Sequence, residues 1–187
     1  ELNKLAFNVK NFQFYKNNFF NVEGMFDLIN SEVKGYLTAD KFNLNLRIDK
    51  TKFMRIEIND STISNTSFLN SAKSASKFSI NSRLIVRDSS FGKIQIKDFD
   101  AYILNNKNNF TANNLKLNSN LISIKPVKNS SKAYFSINKL QPLYKVRGNF
   151  LIKDSNKIPY LGDLADFSYF NGSVNLQWKE LSSLSNI

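Results

Sequence analysis

The sequence predicts a mainly β, predominantly antiparallel protein, on three observations. The first is a period of two. In "KFNLNLRIDKTKFMRIEIND", Lys41–Asp60, the residues Phe42, Leu44, Leu46 and Ile48 point one way and Asn43, Asn45, Arg47 and Asp49 the other. Successive strand side chains alternate between faces, so this is the signature of a strand with one apolar face. The second is compositional: 42% of residues are hydrophobic and 17 are Phe, yet mean hydropathy is −0.34. Apolar and polar residues must therefore be finely interleaved. The third is spacing. Connections between the alternating segments are of hairpin length, too short for parallel crossovers.

Taken in order, "LAFNV" sets Leu5, Phe7 and Val9 on one face, and "FQFY" comes next with Phe12 and Phe14. "GMFDLI" and "SEVKGYL" form a further pair. The two strands of Lys41–Asp60 succeed them, the second carrying Met54, Ile56 and Ile58. "STISNTSFL" is polar and reads as an edge or bent strand. "NSAKSASK", 70–77, has no large apolar residue and reads as a loop or a subdomain junction. "FSINSRLIVRD" then offers Phe78, Ile80, Leu84 and Val86, and "GKIQIKDF" offers Ile94 and Ile96. A hairpin is expected across Asn105–Asn109, and a looser one around Pro126 and Asn129. "YKVRGNFLI" places Tyr144, Val146, Phe150 and Ile152 together, with Gly148 at a bulge or close approach. "GSVNLQW" closes with Val174, Leu176 and Trp178. One stretch breaks the rhythm: in "IPYLGDLADFSYF" the spacing of Leu161, Leu164 and Ala165 is helical, and Pro159 suits a first turn. A short helix is expected near 159–168, beside about eleven to thirteen strands.

Composition excludes several chemistries. There is no Cys and no His among the 187 residues. Disulfides, thiolate nucleophiles and Cys or His metal sites are thereby removed, as is the commonest general base. No catalytic residue, cofactor or metal is expected. The net charge of +11 would suit an anionic partner. The cations, however, are spread one or two per strand with no cluster of the nucleic-acid kind, and Lys and Asn are both abundant, as biased base composition produces. No nucleic-acid partner is expected. Nor is there an apolar run of the ~18–20 residues that span a bilayer. The chain opens on "ELNKLAFNVK", without an initiator Met, and is read as a piece of a longer protein.

An amphipathic sheet must cover its apolar face. A second sheet, closure into a barrel, or a long trough whose channel holds an apolar ligand would each serve, and periodicity alone leaves all three open. Three stretches carry a resemblance. "FDLINSEVKGYLTADKFNLNLRIDKTKF" is similar to a strand–strand–strand pattern with Val33, Gly35 and Leu37 in the middle strand. "KFSINSRLIVRDSSFGKIQIKDFDAYIL" is similar to a hairpin with Gly92 at its turn. "YKVRGNFLIKD", "YLGDLADF" and "FNGSVNLQW" are similar to a closing strand–helix–strand signature through Gly148, Phe150, Gly172, Leu176 and Trp178. In this order they resemble the C-terminal region of the YhdP-type AsmA-like family of Gram-negative bacteria. Two prolines usual in that family are absent here, and the helix region is compressed.

The resemblance implies a long, curved antiparallel sheet forming an open hydrophobic groove over the whole of 1–187. It implies a segment of a periplasmic, inner-membrane-anchored, bridge-like protein that carries phospholipid between inner and outer membrane. Partners would be phospholipid acyl chains, membranes through the full-length protein, and other envelope proteins. The groove lining would be Phe42, Leu44, Leu46, Ile48, Met54, Ile56, Ile58, Phe78, Ile80, Leu84, Val86, Ile94, Ile96, Val146, Phe150, Ile152, Val174 and Leu176, each of which also fits an ordinary buried core. Lys41, Arg47, Arg83 and Arg87 would lie near the rim or on a solvated face. The alternative is a structural or protein-binding β-sandwich of an envelope protein, without lipid. The carboxylates Asp154, Asp163, Asp166, Glu23 and Asp27 are read as surface charge.

Overall fold

A computed structural model describes residues 3–14, 16–66, 79–106, 109–126, 132–138, 143–153 and 169–177. The strands are β1 (Lys4–Phe14), β2 (Asn17–Ile29), β3 (Glu32–Ala39), β4 (Phe42–Ile48), β5 (Met54–Asn59), β6 (Thr62–Ile63), β7 (Ile80–Phe91), β8 (Ile94–Asn105), β9 (Asn109–Ser119), β10 (Ser123–Lys125), β11 (Tyr134–Asn138), β12 (Leu143–Lys153) and β13 (Tyr169–Gln177). All thirteen belong to one sheet. It is open: β1 and β13 lie at opposite ends and do not pair with each other. Among the described residues there is no helix, and no second layer covers either face. The helix expected near 159–168 and Trp178 fall outside the described residues, as does the junction expected at 70–77.

Local chemistry sets the antiparallel turns. Between β2 and β3, Asn30 and Ser31 both have positive φ, 50° and 66°. That is the two-residue turn whose twist matches a hairpin. Gly92, at φ 59°, turns β7 into β8. The hairpin expected across Asn105–Asn109 is present: the Asn106 N–H donates to the Asn109 carbonyl at 2.8 Å, and the Asn109 N–H to the Asn106 side chain at 2.7 Å.

The sheet is predominantly antiparallel, as expected, with one parallel join: β5 and β6 both run parallel to β7. The stretch from 64 to 79 is not of hairpin length and is long enough for a parallel crossover. One expectation is corrected, the hairpin around Pro126 and Asn129. β10 and β11 do not pair with each other; each lies between β9 and β12, running antiparallel to both. They are two pieces of one lane. β5 and β6 likewise share a lane beside β7. The thirteen strands therefore make eleven lanes.

The lanes are kinked along a common line. Asn21, Asp60 and Asp88 lie in or beside strands yet have φ of 52°, 46° and 44°, a region that Asn and Asp enter more readily than other L-residues. Hydrogen bonds place them at one level. The Asp40 N–H donates to Phe20 O at 3.2 Å, the Thr62 N–H to Lys41 O at 2.8 Å, and the Asp60 N–H to Arg87 O at 3.1 Å. Each kink shifts the alternation, so Phe19 and Val22, on either side of Asn21, are both buried.

Candidate functional site

Residues directly opposite in a ladder share a face. Tracing the register from lane to lane therefore reads out whole rows of side-chain positions. One row runs Phe7, Gly24, Leu37, Leu44, Ile58, Val86, Phe99, Leu117, Ile124 and Ile152. Every position is apolar or Gly across ten consecutive lanes, roughly 45 Å at ~4.8 Å per strand. A second row, two residues further along each strand, runs Leu5, Phe26, Gly35, Leu46, Ile56, Leu84 and Ala101. A third joins Leu28, Val33, Ile48, Met54, Ser82, Ile103, Ala112, Phe135 and Gly148. Ser82, 3% exposed, is its one polar position.

The intervening rows are more polar, and the one between the first two is mixed: it runs Ala6, Met25, Tyr36, Asn45, Glu57, Ile85, Asp100 and Lys116, with Ile85 fully buried. The others carry charge and amides. One runs Asn8, Glu23, Thr38, Asn43, Asn59, Arg87, Asp98, Asn118, Ser123 and Lys153. Another sets Lys34, Arg47, Arg55 and Arg83 directly opposite one another in successive lanes. Like charges so placed repel, and carboxylates offset them. Glu32 lies 3.5 Å from Arg47. Glu57 accepts from Arg55 Nε at 2.6 Å. Asp100 accepts from Nε and Nη2 of Arg83 at 2.9 and 2.6 Å, and this two-pronged bond raises the Arg83 pKa further above its ordinary value. Arg47, Arg83 and Arg87 thus belong to the polar rows, and Arg47 and Arg83 are paired there. Lys41 lies at the tip of the β3–β4 hairpin.

Nine of the eighteen residues expected in the lining, Leu44, Leu46, Ile48, Met54, Ile56, Ile58, Leu84, Val86 and Ile152, fall in the three apolar rows. Phe42 lies opposite Ala39 and meets Phe19 edge to face at 5.8 Å. Ile80 stands opposite Asn105, which stands opposite Phe110, then Ile137, Val146 and Val174 in register. Phe150 meets Phe135 edge to face at 6.3 Å. Ile152 pairs with Ile124, and Leu176 with Tyr144. Ile94 and Ile96 lie past the kink line, opposite Phe91 and Ser89. Phe78 lies outside the described residues. The rows also contain Leu5, Phe7, Phe26, Leu37, Phe99 and Leu117, which the sequence reading did not assign to the lining although their alternation carries the same signal.

Exposure along the apolar rows is uneven. In β4 and β5 the apolar residues are half-buried, whereas Leu5 is 60% and Leu28 51% exposed. A hollow of about 290 Å³ on this face is lined by Leu5, Phe26, Leu28 and Val33 among others. Two larger hollows have mixed linings in which charged and amide side chains are frequent. One of about 580 Å³ lies at the kink line beside Asp88, Ser89 and Lys97, and one of about 530 Å³ along Lys34, Arg47 and Arg55.

At the kink line the margin of the sheet draws together. Asn17 on β2 and Asn65 beyond β6 are three lanes apart, about 14 Å in a flat sheet. They are nevertheless hydrogen-bonded reciprocally: Asn17 Nδ2 donates to Asn65 O, and the Asn65 N–H donates to Asn17 Oδ1, both at 2.8 Å. Phe19 reaches across two lanes to Phe42, and Phe19 and Ile63 are only 8% and 9% exposed.

No protein-family model, curated protein or solved structure matches the chain.

Proposed function

We propose that the chain is a segment of a periplasmic, bridge-like protein of the YhdP-type AsmA-like kind, which conducts phospholipid between inner and outer membrane along a hydrophobic β-groove. The observation that carries this reading is the unbroken apolar row from Phe7 to Ile152. An acyl chain needs apolar surface, not catalysis. At ~0.8 kcal/mol per methylene, a 16-carbon chain loses roughly 12 kcal/mol when it moves from water to such a surface. A row that spans ten lanes offers that gain along its whole length, so a lipid can slide without crossing a polar barrier. Headgroups remain in water at the strand ends.

An open, one-layered sheet also suits a conduit better than a closed carrier. The contacts of Asn17 with Asn65 and of Phe19 with Phe42 bring one margin over the apolar side. Apolar rows of this extent do not remain in water without a partner. The test is co-purification. Protein prepared without detergent carries phospholipid on extraction, and Leu46→Asp or Ile56→Glu loses it while keeping the β circular dichroism and the melting transition. If the same substitutions unfold a lipid-free wild type, the rows are a closed core and the reading fails.

A further inference from the structure

We infer that β1 is a self-complementary interface, at which two copies of the chain pair antiparallel about a two-fold axis. The inference stands apart from what the apolar rows carry. Among the described residues β1 pairs only with β2. Ten of its eleven residues are exposed, and Leu5, Val9, Phe12 and Phe14 are among them. Edge strands are normally blunted by Pro, by charges on the buried face or by a covering element. β1 has no Pro and no acidic residue, and its apolar face carries no charge.

Backbone and side chains select one register. The Leu28 N–H donates to Asn3 O at 2.7 Å. In the alternating antiparallel pattern Leu5, Phe7 and Val9 therefore bond to β2, and Asn8 turns its N–H and C=O to the open edge. Beyond the kink, Phe20 turns both groups toward Asp40, so its partner Asn11, and then Gln13, face the edge as well. The side chains change phase at the same place. Leu5, Phe7 and Val9 lie on the apolar side before Lys10. After it Phe12 does, opposite the Phe19 that meets Phe42, and Phe14 is stacked on Phe12 at 6.5 Å. A two-fold axis between Lys10 and Asn11 matches both patterns. It sets Phe7 opposite Phe14 and Val9 opposite Phe12 on one face, and Asn8 opposite Gln13 and Lys10 opposite Asn11 on the other. An axis at Phe7 also keeps the faces, but it sets Lys4 against Lys10, and like charges directly opposite are destabilising. Pairing Phe7–Phe14 of two copies removes on the order of 1,000 Å² from water in total, the low end for a specific interface. The dimer is accordingly weak and concentration-dependent, and it leaves the apolar rows of both copies on one side.

Sedimentation equilibrium of the 187-residue chain reads the mass directly. Wild type is expected to approach twice 21.5 kDa as its concentration rises to ~100 μM, where a dimer of micromolar Kd is nearly full. Phe12→Lys places a charge on the edge's apolar face. Asn8→Pro removes an edge-facing N–H and spares the backbone bonds between β1 and β2. Each should weaken the dimer at least tenfold with the β circular dichroism unchanged. The lack of native Cys makes the register testable. Asn8→Cys/Gln13→Cys, with paired Cα atoms ~5.5 Å apart across the axis, should form a disulfide-linked dimer, and Asn8→Cys alone should not. A wild type that stays monomeric overturns the inference. So do open-ended oligomers, which stacking of β1 on the β13 of the next copy would give, variants that dimerise as wild type does, and equal cross-linking of the single and double cysteine variants.

Discussion

Gly24 and Gly35 each lie beneath a phenylalanine of the neighbouring strand. A Cβ on Gly24 would come within 2.2 Å of the Phe7 ring; one on Gly35 would come within 2.2 Å of the Phe26 ring and 2.7 Å of the Met25 carbonyl. The two rings are stacked at 6.4 Å, so Phe fills the space that Gly leaves and the row stays continuous. Gly35→Ala is expected to destabilise by about 1–3 kcal/mol, since an added methyl must displace a packed ring. Urea denaturation with an unchanged m-value checks this. Gly92 acts through its backbone: with φ at 59°, Gly92→Ala should cost about 1 kcal/mol. Asp49 shows a charge organising a turn. Its carboxylate accepts from the Thr51 hydroxyl at 2.6 Å, the Thr51 N–H at 2.8 Å and the Phe53 N–H at 3.1 Å. These bonds, the hydroxyl's foremost, lower its pKa against an opposing desolvation. A depressed carboxylate pKa means the turn is supported at pH above about 4 and loses that support as pH falls through the folded-state value. The amide resonances of Thr51 and Phe53 should move together in that acid range, and should not move in Asp49→Asn.

At the scale of the element, the parallel join is the most informative feature. "RIEINDSTI" (55–63) and "RLIVRDSSF" (83–91) share one pattern, an alternating strand broken by Asp-Ser. They stack in register, Arg55 on Arg83 and Ile63 on Phe91. The serines make the join. The Ser61 N–H donates to Ser89 Oγ at 3.1 Å, and Ser61 Oγ accepts the Asn43 N–H at 2.9 Å while donating to Asn59 O at 2.8 Å. Ser61 and Ser89 are 1% and 4% exposed, so their loss strands buried backbone groups. Ser61→Ala and Ser89→Ala should each cost about 1–3 kcal/mol. Their one shared bond uses the Ser61 backbone N–H, which Ala retains, and the two hydroxyls otherwise serve different partners, so the two costs should add in a double-mutant cycle. A large coupling energy would contradict this assignment of the bonds.

Over the whole molecule, the features legible in the sequence are the local ones. Strand faces come from alternation, so Phe42 to Ile58 can be assigned without coordinates. Lane order is non-local: nothing in the period of β5 says that its next neighbour is β7 and not the segment immediately after it. The same limit makes β10 and β11 look like a hairpin. Kinks are hidden for another reason. Asn21, Asp60 and Asp88 are chemically ordinary in a chain rich in Asn and charged strands, and only their φ values distinguish them. The rows themselves need both kinds of information: alternation gives Phe7, Leu37, Phe99 and Leu117 an apolar face, and the register sets them opposite their neighbours. Together the rows make the continuous apolar register on which the proposed lipid reading rests. Native mass spectrometry of the detergent-free protein tests that most directly. Adducts of phospholipid mass on the wild type, absent from a folded Leu46→Asp variant, are the predicted result. A single unliganded mass for the wild type, with Leu46→Asp unfolded, would contradict it.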